Sequence, residues 1–164
     1  MRLDPIAEAK RQWIAHGWAD AADGMAAVTS LMRAQQIVLA RVDAVLRPHR
    51  LTFARYELLM LLHFTRQGAL PITKASARLQ VHPSSVTNAV DRLEQAAMVR
   101  RLPHPEDGRA TLIEITDRGR KVALAATQDL NDAVFSNPGL APRRVSALVA
   151  AITDLRARAG DFEL

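Results

Sequence analysis

Apolar residues return every three or four positions over most of this chain, which is the spacing of one face of an α-helix. Ile6, Ala9 and Trp13 repeat this way behind Asp4-Pro5, a pair that opens a helix because aspartate caps it and proline fits the first turn. Gly17 is expected to end this helix, with 17–24 as a connection. The longest periodic stretch, Met25 to Leu46, places Val28, Leu31, Met32, Val38, Leu39, Val42, Val45 and Leu46 on one face and stops at Arg47-Pro48. Thr52 is the expected cap of a helix from Phe53 to Phe64. That helix is apolar nearly all round and so belongs at the centre of a domain.

The middle of the chain changes rhythm. A short helix from Ile72 or Thr73, with Thr73 a candidate cap, runs to Leu79 and meets the tight turn Gln80-Val81-His82. A helix from Pro83 to about Met98 follows. Val86, Ala89, Val90, Leu93 and Ala97 fall on its apolar side, and Ser84, Thr87, Asn88, Asp91, Arg92 and Gln95 on its polar side. Two short helices joined by a tight turn, the second with a small hydrogen-bonding face, make a helix-turn-helix. Val99 to Leu102 and Thr111 to Thr116 then read as strands around the turn-rich 103–108, a hairpin wing. Thr116-Asp117 caps a helix to about Phe135, Asn137-Pro138-Gly139 breaks it, and Pro142 opens a last helix carrying Val145, Leu148, Val149, Ile152 and Leu155 on one face. The fold class is mainly α with a small β-hairpin wing.

Composition narrows the function. The chain has 164 residues, 49% hydrophobic and 24% charged, enough for one domain with helical extensions. A net charge of +5, mostly arginine, favours an acidic partner such as nucleic acid. Cysteine is absent and the five histidines are scattered, so no metal site or cofactor is expected. Nucleophile elbow, zincin helix and Gly-rich phosphate loop are all missing, which argues against an enzyme. No apolar run approaches a membrane span and no signal peptide is evident, so the expectation is a cytoplasmic protein with no membrane partner.

VTNAVDRLEQAAMVRR, the wing tip Asp107-Gly108-Arg109, and Ile115-Thr116 with Gly119 beyond resemble the MarR family of transcription regulators, over about Met25 to Leu155. The resemblance implies a homodimer whose terminal helices intertwine. Residues 1–50 and 118–164 would form the dimerisation region, and 51–117 the winged helix-turn-helix DNA-binding domain. The implied partner is double-stranded DNA with a pseudo-palindromic operator, and the implied activity is that of a repressor released by a small molecule. Ser84, Ser85, Thr87, Asn88 and Arg92 would enter a major groove, where Asn88 suits adenine and Arg92 suits guanine or a phosphate. Arg109 would enter a minor groove, and Asp107 would hold its guanidinium. Arg100 and Arg101 either touch phosphates or form a solvated strand face. Asp91 and Arg92 are open to a local ion pair.

The ligand implied by the resemblance is small and aromatic or anionic, held between the dimer helices and the winged domain. The added N-terminal helix resembles that of the urate-responsive subgroup. Trp13 matches that subgroup's tryptophan, but Glu57 stands at its aspartate position and Ala89 at its arginine position. A candidate pocket is therefore placed at Trp13, Tyr56 and Glu57, against simple packing of Trp13. Trp18, Arg55, Met60 and His63 are weaker candidates. The alternative function is a small-molecule-binding module of the same fold whose DNA binding is weak or lost.

Overall fold

A computed structural model of the chain describes residues 3–104 and 110–162. Asp4 accepts the Ile6 N–H at 3.0 Å and opens α1, Pro5–Ala15. The next helix, α2, runs Ala19–Leu46, six residues earlier than its apolar stripe suggests. The expected connection over 17–24 shrinks to Gly17 and Trp18, because Gly17 takes the positive φ of 88° that reverses the chain. The alanines after it favour helix, and Gly24 is absorbed with nothing crowding it.

Helix α3, Phe53–Phe64, buries Tyr56, Leu58, Leu59 and Leu62 at the centre of the molecule. Thr52 precedes it, but its hydroxyl caps nothing and instead accepts from Arg55 Nε at 3.1 Å. Thr73 likewise is no cap: it lies inside α4, Ile72–Leu79, whose cap residue is Pro71. After α5, Pro83–Gln95, Ala97 turns left-handed at φ 55°, so the helix stops short of Met98. Strands β2, Val99–Pro103, and β3, Thr111–Ile115, form the antiparallel hairpin. A third strand, β1, Ala69–Pro71, pairs with β3 on its other edge, Leu70 opposite Ile113.

The hairpin leads into α6, Asp117–Leu130. Thr116 accepts the Gly119 N–H at 3.0 Å and donates to Ala97 O at 2.8 Å, tying the new helix to the end of α5. Gly119 is obligatory here, since a Cβ would collide with the Met98 carbonyl. A π-helical turn, Asn131–Phe135, extends α6, and Arg41 of α2 reaches the carbonyl of Ala133 within it and those of Asn137 (3.2 Å) and Pro138 beyond it. The final helix is α7, Pro142–Arg158.

Leu46, Leu58, Leu59, Leu62, Leu93, Ile113 and Leu130 are fully buried and join α2, α3, α5, the sheet and α6 in one core. Outside that core two apolar faces stay open. Val28, Leu31, Met32, Val38 and Leu39 of α2 are exposed, as are Leu148, Val149 and Leu155 of α7, which buries no residue. Among the described residues no helix is long and apolar enough to cross a membrane.

Candidate nucleic-acid interface

The turn that presents α5 is built by local hydrogen bonding. Gln80 adopts a left-handed φ of 53°, and the buried Ser76 hydroxyl donates to Val81 O at 2.6 Å. His82 caps α5: its Nδ1 accepts the Ser84 N–H at 3.3 Å and lies 2.7 Å from Ser84 Oγ. Pro83 then fills the first helical position, where its missing N–H costs nothing. Val86, Val90 and Leu93 are buried, which fixes the rotation of the helix and turns its other face outward.

On that outward face Ser84, Ser85, Thr87, Asn88 and Arg92 are all exposed. Thr87 Oγ1 donates to Pro83 O at 3.1 Å, leaving its methyl and lone pairs outward. Ser85 and Asn88 make no side-chain hydrogen bond among the described residues. Among the described residues Arg92 reaches only Gln95 Oε1, at 3.4 Å, and no carboxylate. The Asp91–Arg92 pair considered from sequence therefore does not form. Asp91 binds Arg101 instead, and Glu94 binds Arg101 through both its side chain and the backbone N–H at 3.2 Å. Both acids raise the Arg101 pKa further, Asp91 first. Arg100 pairs with Glu114, directly opposite it across the β2–β3 ladder, and its pKa is raised by the same contact. Arg100 and Arg101 thus pin the hairpin together and to α5. The wing-tip candidates Asp107 and Arg109 lie outside the described residues.

The ligand candidates separate. Tyr56 and Glu57 line a pocket of about 380 Å³ with Phe53, Met60, Phe64 and Phe135. Tyr56 Oη and Thr127 Oγ1, 3.0 Å apart, form its polar floor. Glu57 brings the one carboxyl group among the described residues that line it, and burial against these walls raises its pKa. Glu57 also borders a small adjoining dent that Ala89 lines, so the two departures from the urate-type pattern meet at one place. Trp13 does not line either space. It packs edge-on against Trp18, ring centres 5.3 Å apart, at the α1–α2 corner, with His16 stacked on Trp18. His63 lies 3.3 Å from Arg120, outside the pocket. Among the described residues no cluster of histidines and acids could hold a metal.

This arrangement has counterparts in known proteins. The family model described as "MarR family" matches residues 51–111. The structure of Sco5413, a MarR family transcriptional regulator from Streptomyces coelicolor, superposes with a TM-score of 0.79 at 49% identity, covering 87% of this chain and 99% of that one. Sco3205, a MarR family regulator from the same organism solved in complex with DNA, gives a TM-score of 0.72 at 25% identity over 84% of this chain and 88% of that one. Among curated proteins, the HTH-type transcriptional regulator YhbI of Bacillus subtilis is 31% identical over 88 residues, 53% of this chain and 56% of that protein. The match thus spans about half the length of the curated relatives.

Proposed function

The chain belongs to the MarR family of transcriptional regulators, and from this premise we propose that it is a homodimeric repressor that reads a pseudo-palindromic operator and leaves it when a small molecule binds. The observation that carries the reading is the state of the α5 surface. Ser85, Asn88 and Arg92 stand exposed with their hydrogen-bonding groups unengaged by carboxylates among the described residues, while the neighbouring Asp91 and Glu94 both pair with Arg101, which offsets one of their two charges. A helix seated in the major groove would place Asn88 against an adenine edge and Arg92 against guanine or a phosphate. Arg109, with Asp107 beside it in sequence, would enter the adjacent minor groove from the wing.

In this reading residues 51–117 are the reading head, and 1–50 together with 118–164 hold the dimer. The exposed apolar faces of α2 and α7 support that division. The pocket at Tyr56 and Glu57 lies between α3 and α6, where an occupant would press on the joint between head and dimer helices. Its described lining carries one carboxyl group and no basic side chain, so it suits a flat apolar ring bearing a hydrogen-bond donor better than an anion.

Titration against the DNA upstream of its own gene, and against random duplex, at several salt concentrations tests the reading. The expected result is a preference for the upstream site of about 10³-fold or more, with affinity falling steeply as salt rises through counterion release. Equal affinity for the two DNAs sinks specific regulation.

A further inference from the structure

Between the start of α3 and the flank of α5 lies an open polar cleft of about 350 Å³, lined among others by Thr52, Arg55, Ser85, Asn88 and Arg92. Two guanidinium groups, two hydroxyls and an amide border it, and among the described residues no carboxylate does. Arg55 is held in place by uncharged acceptors: its Nε donates to Thr52 Oγ1 at 3.1 Å and its Nη1 to Arg50 O at 3.2 Å. The guanidinium is therefore oriented without being neutralised, and three of its five N–H groups remain for another partner. Arg100 and Arg101 are the contrast, since each is paired with acids of this chain.

We propose that this cleft grips a phosphodiester of the DNA backbone, with Arg55 as the anchor beside the bases read by α5. The inference rests on α5 being the reading helix. A helix with its side chains is about 10–12 Å across, and the major groove is about 12 Å wide, so the sugar–phosphate walls press on both flanks of a seated helix. Ser85, Asn88 and Arg92 follow one another at helical spacing along the flank where the cleft opens. A strand bordering the groove passes over Arg55 there. The planar fork of an ordered arginine matches two phosphate oxygens, and fixing it beforehand reduces the entropy lost on binding. The cleft is open to solvent, so a free anion would keep its hydration. A phosphodiester is instead delivered by the contacts on either side of it.

The test compares the full-length protein with Arg55→Gln and Arg55→Lys, on upstream and random duplexes across a salt series. Arg55→Gln should weaken both DNAs by the same factor, roughly 5- to 10-fold near 0.1 M salt, and lower the slope of log affinity against log salt by about 1. Arg55→Lys keeps the charge but not the fork, so it should keep the slope and recover part of the affinity. Inorganic phosphate should compete no better than chloride at matched ionic strength. Wild-type affinity and slope in both variants would overturn the proposal, as would a loss confined to the upstream site or selective competition by phosphate. If Arg55→Gln loses its cooperative thermal transition, Arg55→Lys decides alone: lowered affinity at an unchanged slope supports the fork, and wild-type affinity overturns it. Failure of the wild-type protein to prefer its upstream site would strike the regulator reading separately, because the slope on random DNA still judges Arg55.

Discussion

Asp91 and Glu94 both pair with Arg101 rather than with Arg92, and the one guanidinium offsets one of their two charges on α5. Arg92 meets no carboxylate among the described residues and is left as the guanidinium on the outward stripe. This pairing was not readable from spacing, because Arg101 lies ten residues from Asp91 and reaches it only after the chain has turned at Ala97. Thr116 and Gly119, by contrast, were legible as a motif, and their reason is now plain: one caps α6 and the other lets it sit against the Met98 carbonyl. Glu57 supports a prediction at this scale. The apolar pocket walls raise its carboxyl pKa above the ordinary 4.5. The folded chain therefore holds this proton at pH values where the unfolded chain has lost it. The stabilisation is complete below pH 4.5 and is lost as pH rises through the raised value. Glu57→Gln keeps the shape without the charge. Its thermal midpoint should exceed that of the wild type at pH 7 and the two should converge near pH 4. Solvent on the open side screens the effect, so the gap should be about 1–2 °C. A wild type equal or superior at pH 7 would contradict it.

At the scale of elements, helices were legible where their apolar stripes were strong, and the reading faltered where tertiary pairing decides. Strand Ala69–Pro71 is three residues long, has no room for alternation, and exists because β3 offers it an edge some forty residues later. The start of α2 was hidden because residues 19–24 carry no stripe; alanine propensity and packing against α1 make it helical. What the stripes did reveal is the surplus of apolar surface on α2 and α7. Leu31 is 41% exposed and Leu148 47%. If these faces meet a second copy, burying what remains open of each leucine contributes roughly 1 kcal/mol, somewhat under half the value for a fully exposed side chain, twice per symmetric dimer. The double variant Leu31→Glu, Leu148→Glu should sediment as a folded monomer under conditions where the wild type is a dimer. Its circular dichroism should be unchanged, since neither residue belongs to the core. An unaltered dimer would place the interface elsewhere.

At the scale of the molecule, the proposed dimer would make the separation of its two α5 helices the geometry that matters, and the elements that would set it are joined to one another within the chain. Arg41 bonds carbonyls within and just after the π-helical turn, so the end of α6 is tied to α2. Tyr56 bonds Thr127, so α3 in turn is fixed to α6. In the proposed division these bonds would restrain the head from swinging against the terminal helices. In a symmetric dimer the two reading helices should then enter successive major grooves on one face of the duplex, about 10–10.5 base pairs apart or a multiple of that. Inserting about five base pairs between operator half-sites rotates one of them by half a turn to the opposite face. Affinity should fall toward the random-duplex value, as read by fluorescence anisotropy, because one head must let go or the DNA must be twisted. Were each subunit reading its site alone, the insertion would change nothing. That outcome would remove the dimer from the recognition step even if the protein were a dimer in solution.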